Sequence, residues 1–375
     1  MLGLYVHIPF CSSICNYCNF NRGLYDEALK TRYVAALLRE ISRAPEDQRR
    51  QAADTIFFGG GTPSLLEPRE IAAIVDACRA RVDLAPTAEI TLETNPETVD
   101  RAKLEAFREA GINRISFGVQ SFQDQELRRL GRIHSAARAE AAVREARAAG
   151  FDNVSLDLMM WLPGQSVSGW LANVDALIAA RPDHASLYLL ELYPNAPLKE
   201  DMARAGWSLA PDEDAAEMYL QGMARLDEAG LVQYEISNVA RPGHASRHNL
   251  KYWTDGEWRG FGCGAHSTMD GVRWKNVSGT EDYIARVTNG ASIEVERRLL
   301  TKEERLEEAL FTGLRLTEGV DLTALGVRYD CDVWDRYRNA LRPFLEEGWV
   351  VHDGPRLRLT RPGMLMANEV MAVFV

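Results

Sequence analysis

Leu2-Gly3-Leu4-Tyr5-Val6-His7-Ile8-Pro9-Phe10-Cys11-Ser12-Ser13-Ile14-Cys15-Asn16-Tyr17-Cys18 begins the chain, and its two halves read differently. Residues 2–8 form a short apolar-rich run bounded by a turn, the pattern of a buried strand. Cys11, Cys15 and Cys18 follow at once on a tight loop. Six cysteines in 375 residues, three of them crowded together, make a poor disulfide framework and a good ligand set.

Working outward, five further strands are expected at Thr55–Phe58, Glu89–Thr94, Arg114–Val119, Val154–Leu158 and Ser186–Leu190. Helical segments lie between them. Leu29, Tyr33, Leu37 and Ile41 recur every four residues, and Ile71, Ile74, Val75 and Cys78 fall on one stripe. Gly111, Gly150 and Gly230 each follow a helix and lead into the next strand, spaced as repeats of a βα unit. Such alternation winds into a parallel sheet or barrel, whose C-terminal strand ends carry the reactive loops. After about Thr280 the pattern changes. Thr301-x-x-Glu304 is a capping box opening a helix, a second helix spans about Val333–Glu347, and short runs follow at Trp349–His352 and Leu357–Thr360. We therefore expect an α/β unit over residues 1–280, including the extension with the motif at 248–253. A small helical, two-stranded, winged-helix-like unit is expected over 281–375.

Composition narrows the function. The chain is 46% hydrophobic and 26% charged, ordinary values for a globular protein. Its net charge of -11 opposes a nucleic-acid partner. The apolar runs are strand-length and the first residues lack a basic leader, so a cytoplasmic protein is expected.

Three thiolates can hold three irons of a [4Fe–4S] cluster and leave the fourth iron open to another ligand. A structural zinc completed by His7 is the alternative. Cys78, on a helix stripe, Cys263, in a glycine-rich loop, and the isolated Cys331 read as structural. Gly59-Gly60-Gly61-Thr62-Pro63 follows the second strand and is either a ligand loop or a tight turn; no lysine follows to make it a P-loop. Polar groups end the next strands: Glu93 the third, Gln120 the fourth, with Asp157 near the end of the fifth.

The run from Tyr5 through Cys18 resembles the opening of the radical S-adenosylmethionine (SAM) family, in particular the group around oxygen-independent coproporphyrinogen III oxidase. The resemblance implies a partial (βα)6 TIM-like barrel and a [4Fe–4S] cluster on Cys11, Cys15 and Cys18. It also implies SAM bound at the open iron and cleaved to a 5′-deoxyadenosyl radical. By the same resemblance, Tyr5 and Tyr17 lie near cluster and cofactor, and the loop Gly60, Gly61, Thr62 and Pro63 meets the methionine moiety. Glu93, Gln120, Arg132 and Asp157 form the cofactor pocket, with further contacts at Glu191 and His266.

Two features depart from the oxidase. Phe20 stands where the oxidase has a further cysteine, and Tyr5 is nearly at the start of the sequence, where the oxidase carries a long arm. Both resemble instead the HemW-type haem chaperones, as does His248-Asn249-Leu250-Lys251-Tyr252-Trp253, which is similar to that subfamily's His-Asn-Leu-x-Tyr-Trp signature. That resemblance implies haem as cargo, haem-requiring recipient proteins, an electron donor, and room for peripheral contact with membrane haemoproteins. His248 is then the candidate iron ligand with Tyr252 and Trp253 beside the macrocycle, unless the motif only fixes a loop against the barrel. The enzymatic alternatives are oxidative decarboxylation of a porphyrinogen and radical methylation.

Overall fold

The computed structural model describes residues 1–43, 51–194 and 196–375. The expected strands form: β1 (Leu2–Ile8), β2 (Ala52–Gly60), β3 (Asp83–Thr94), β4 (Arg114–Gln120), β5 (Val154–Met160) and β6 (His184–Leu189). They pair in sequence order, all parallel. Leu190 lies just past the last of them, which begins earlier than its sequence pattern shows because His184 and Ala185 are buried within it.

Helices α1 (Glu27–Arg43), α2 (Pro68–Arg81), α3 (Arg101–Glu109), α4 (Ala136–Ala148) and α5 (Val167–Ala180) connect these strands. Tyr33, Leu37 and Ile41 of α1 and Ile71, Ile74, Val75 and Cys78 of α2 are buried in the main core. At about 2 kcal/mol for each large apolar side chain, such stripes hold the helices on the outside of the sheet. Gly111 and Gly150 take φ of +100° and +86°, the left-handed turn expected between a helix and the next strand.

The parallel stretch curls. One cavity of about 160 Å³ is lined by Tyr5 of β1, Phe57 of β2, Glu93 of β3, Arg114 and Ser116 of β4, Asp157 of β5 and Ser186 and Tyr188 of β6. A flat sheet could not bring all six strands around one space, so this is a partial barrel.

Beyond α6 (Asp212–Glu228), the chain extends the sheet at both edges. β7 (Val232–Glu235) and β8 (Asn238–Ala240) add antiparallel to β6. After α7 (Arg247–Trp253), β9 (Trp258–Phe261) pairs parallel with β1, a seventh parallel strand that the sequence pattern does not announce. β10 (His266–Met269) and β11 (Val272–Asn276) continue antiparallel. Past Thr280, α8 (Thr280–Asn289) buries Tyr283, Ile284 and Val287 in the main core, and β12 (Glu294–Leu299) completes a twelve-stranded sheet.

A second core runs from Leu306 to Phe374. It is built on α9 (Lys302–Gly313), α10 (Leu322–Tyr329) and α11 (Val333–Glu346), with the hairpin β13 (Val350–Asp353) and β14 (Arg356–Leu359). The capping box is present: Thr301 Oγ1 accepts from the Glu304 amide at 3.1 Å and Glu304 accepts from the Thr301 amide at 2.8 Å. The expected two-stranded wing gains a third short strand, Val320–Asp321, paired with β14. Among the described residues, no helix is long and apolar enough to cross a membrane.

Candidate functional site

The cysteine loop is closed at its root. Phe10–Cys11 pairs with Gly23–Leu24, Gly23 N donates to Pro9 O at 2.7 Å and Tyr25 N to Cys11 O at 2.9 Å. Phe10 is buried edge-on against Tyr33, with centroids 5.5 Å apart, which anchors the loop to α1. The three thiols project from this loop at the C-terminal end of β1.

Neighbouring strand ends hold them. Gly61 N donates to Ile8 O at 2.8 Å and Thr62 N to Phe10 O at 2.7 Å, zipping the glycine loop to the chain that leads into Cys11. A Cβ on Gly61 would lie 2.6 Å from Phe10 O, so no larger residue fits without opening that contact. Side chains continue the connection. Thr62 Oγ1 lies 3.7 Å from Cys11 Sγ, Asn95 Nδ2 donates to Thr62 Oγ1 at 3.1 Å, and Arg132 donates to Asn95 Oδ1 at 2.7 Å and to Cys15 Sγ at 3.4 Å. A polar relay thus runs Cys11–Thr62–Asn95–Arg132–Cys15. Burial pushes the Cys11 and Cys18 thiols up, while Thr62 pulls Cys11 down and Arg22 pulls down Cys18. Tyr17 is half-buried beside Arg132 and Cys15, its phenol pushed up chiefly by desolvation.

The zinc alternative meets an occupied imidazole. His7 Nε2 lies 2.8 Å from the Asn21 carbonyl, to which it must donate, so Nδ1 accepts from the Tyr5 hydroxyl at 3.0 Å. Neither nitrogen is free for a metal. Among the described residues, no three His, Cys, Asp or Glu side chains converge as one ion would require.

Below the thiols, the barrel cavity carries two buried carboxyls. Glu93 accepts from Gly60 N at 3.2 Å, and Asp157 accepts from Ser116 Oγ at 3.3 Å. Burial first, and then the Asp157 charge, push Glu93 up to about 8 from an ordinary 4.5; burial pushes Asp157 up to about 6. Glu93 therefore keeps its proton at neutral pH in the free protein. The unfolded chain releases that proton near 4.5, so stability falls as pH rises from about 4.5 to about 8 and is level above. Glu93→Gln removes this loss. Thermal melts of the free protein should show the Gln variant more stable than wild type at pH 8, with the difference shrinking at pH 5.

The floor of the cavity is α7. Glu89 accepts from the amides of Arg247 and His248, both at 3.1 Å, placing a carboxylate under the helix N-terminus. His248 is 1% exposed and stacks on Phe57 with centroids 5.1 Å apart. Its Nδ1 lies 2.8 Å from Thr55 Oγ1 and its Nε2 2.9 Å from the Tyr252 hydroxyl. Burial holds its pKa down at about 3. The imidazole expected to face haem is thus bonded at both nitrogens inside the barrel.

The remaining expected residues separate into groups. Gln120 holds φ of +67°, an uncommon backbone for a non-glycine, and its buried Oε1 lacks a partner among the described residues. A Cβ on Gly118 would meet Gln120, Asn95 and Arg132 within 3.7 Å, so these three surround one point. Tyr5, Glu93, Asp157, His248 and Tyr252 share the barrel cavity. Pro63 is buried and starts a short turn of helix beside the glycine loop. Glu191 is exposed and accepts from Tyr193 OH at 2.5 Å, on the outer lip. His266 lies in a neighbouring cleft, and Trp253 turns toward the second core with Arg315 4.4 Å over its ring. Sequence reasoning missed Asn95, the central link of the relay, and Arg114, whose buried Nε has no partner among the described residues.

Comparison with known proteins follows this geometry. Residues 5–177 match the family model described as the radical SAM superfamily, and residues 300–366 match the HemN C-terminal domain. The chain is 34% identical to the heme chaperone HemW of Bacillus subtilis over 376 residues, covering 100% of this chain and 99% of the relative. It is 37% identical to the heme chaperone HemW of Mycobacterium tuberculosis, covering 98% and 93%. Among solved structures, coproporphyrinogen III oxidase (HemN) from Escherichia coli superposes with a TM-score of 0.88 at 22% identity, covering 100% of this chain and 89% of that one. That likeness is one of fold.

Proposed function

We infer that this chain, which belongs to the HemW family of the radical SAM superfamily, binds haem and delivers it to haem-requiring proteins while carrying a [4Fe–4S] cluster that binds SAM. The observation that carries the cofactor part is the relay joining Cys11 to Cys15 across three strand ends. Three thiols, an adjoining glycine loop that admits no Cβ, a buried Gln120 amide oxygen unpartnered among the described residues and a half-buried guanidinium at Arg132 all fit such a group.

In this reading Cys11, Cys15 and Cys18 hold the cluster. Gly60, Gly61, Thr62 and Pro63 offer backbone to the methionine end of SAM. Gln120 and Asp157 suit hydroxyl groups, Arg132 suits a carboxylate, and neutral Glu93 donates as well as accepts. When bound, the cluster supplies the electron that can cleave the SAM sulfonium. Tyr5 closes the wall toward the floor, and Tyr17 with Arg132 screens the thiols from water. We place Glu191 and His266 outside this inner set.

Haem is cargo, taken up beside α7 and given to recipient proteins; peripheral contact with membrane haemoproteins fits the same role. Phe20 stands where the oxidase pattern has a cysteine, which supports the chaperone reading over the oxidase. The retained cofactor pocket supports a second reading, in which SAM is cleaved on a substrate. Haem transfer tests the first. The haem-loaded full chain, mixed with an apo-globin, should lose its own Soret band as that of the holo-globin appears. Haem that stays on the chain, or never binds it, would contradict the reading.

A further inference from the structure

Next to the barrel cavity, sharing only Tyr252 with it, lies a cleft of about 300 Å³ between the β9–β11 extension and α9. Its walls carry Tyr252, Trp258 and Phe311, with the first two rings edge-on at 4.8 Å. Strand alternation puts His266 and Thr268 on one face of β10, and Thr268 is paired with Trp258, so the imidazole rises on the same side as the indole.

We propose that this cleft is the haem seat, with His266 as the iron ligand, the macrocycle against Tyr252, Trp258 and Phe311, and Arg305 paired with a propionate. The proposal rests on the haem-binding reading above and assigns its site.

The histidines support it by elimination. The chain has seven. His7, His184 and His248 are hydrogen-bonded at both ring nitrogens. His134 is held between Val119 O and Glu97. His352 stacks on Trp334 at 3.8 Å, and His244 sits on the loop before α7; neither lines the cleft. His266 is exposed, makes no ring hydrogen bond among the described residues, and is the histidine on the cleft wall. Partial desolvation by the cleft walls and then the nearby Lys275 hold its pKa down, so at neutral pH it presents the neutral imidazole that iron requires.

The cations point the same way. Arg273 is spent on Glu308 through two bonds, and Arg328 pairs with Asp255 at 3.0 Å. Arg305 makes no ion pair among the described residues and lies over the Tyr329 ring at 5.8 Å. A carboxylate from the ligand would complete it. The volume is at the low end for a ligand pocket, roughly 300–1,000 Å³, leaving one edge of the macrocycle in water, as suits a cargo that must leave.

The test is a haem titration of the full chain, wild type against His266→Ala, followed by absorbance and by SAM binding. The wild type should bind with the spectrum of an imidazole-ligated haem. His266→Ala should bind roughly ten- to a hundredfold more weakly, with a shifted Soret band that added imidazole restores. Its SAM affinity and melting temperature should be unchanged, because the His266 ring makes no hydrogen bond among the described residues. Arg305→Ala should weaken haem without moving the Soret band. If wild type binds no haem, the functional reading itself fails. If wild type binds but His266→Ala shows the same spectrum and affinity, or loses SAM instead of haem, the site assignment is overturned and the reading survives.

Discussion

Alanine at Cys11, Cys15 or Cys18 is expected to strip the anaerobically reconstituted protein of its iron and sulfide, whereas alanine at Cys78 leaves both in place. The contrast follows from position. The three thiols share one loop at the end of β1, with Thr62 beside Cys11 and Arg132 against Cys15. Losing any one would leave two thiolates where a [4Fe–4S] cluster needs three, so a second iron would lack a protein ligand. Cys78 is 1% exposed within the apolar stripe of α2, its thiol pushed up to about 12 by burial, so it stays protonated and binds no metal. Iron and acid-labile sulfide assays on the four variants make the check. Equal iron in all of them would remove the loop from the account.

The second large effect is expected at Arg132. Its guanidinium reaches Cys15 Sγ, Asn95 Oδ1 and, at 2.8 Å, the Gly118 carbonyl, all in a half-buried setting. Arg132→Ala leaves Gly118 O and Asn95 Oδ1 without this donor and Cys15 without its guanidinium partner. Leaving those acceptors without a donor costs about 1–3 kcal/mol, visible as a lower melting temperature. Arg132→Lys keeps the charge but not the fork, since an ammonium cannot reach three acceptors in fixed directions. The Lys variant should therefore keep most of its iron yet bind SAM at least about tenfold more weakly. Wild-type SAM affinity in Arg132→Lys would contradict the role given to the relay.

The sequence was most informative where local pattern and tertiary demand coincide. The six barrel strands are apolar-rich runs, and polar residues stand at or near the ends of the third, fourth and fifth, so Glu93, Gln120 and Asp157 could be placed there from the sequence. β9 could not be read this way. Trp258-Arg259-Gly260-Phe261 has no clean alternation, and its parallel pairing with β1 is decided by sheet closure, with a floor helix between. Arg114 escaped notice because arginine is rarely buried, and nothing in its neighbours marks the exception. Asn95 was visible as a residue, but its place in the relay depends on three strand ends converging. His248 shows the opposite limit. The motif drew attention to an imidazole, while its bonds to Thr55 and Tyr252, from a strand and from the next helical turn, exist only in the fold. Glu191, two residues beyond β6, points outward because the strand has already ended.

The central claim is that this radical SAM fold serves haem delivery. Its most direct test is anaerobic. The cluster is reconstituted, dithionite and SAM are added, and 5′-deoxyadenosine is quantified with haem, with coproporphyrinogen III, or with neither, beside a haem titration. The account predicts tight haem binding and no conversion of coproporphyrinogen III. Production of 5′-deoxyadenosine in step with protoporphyrinogen would contradict it and make this chain an oxidase.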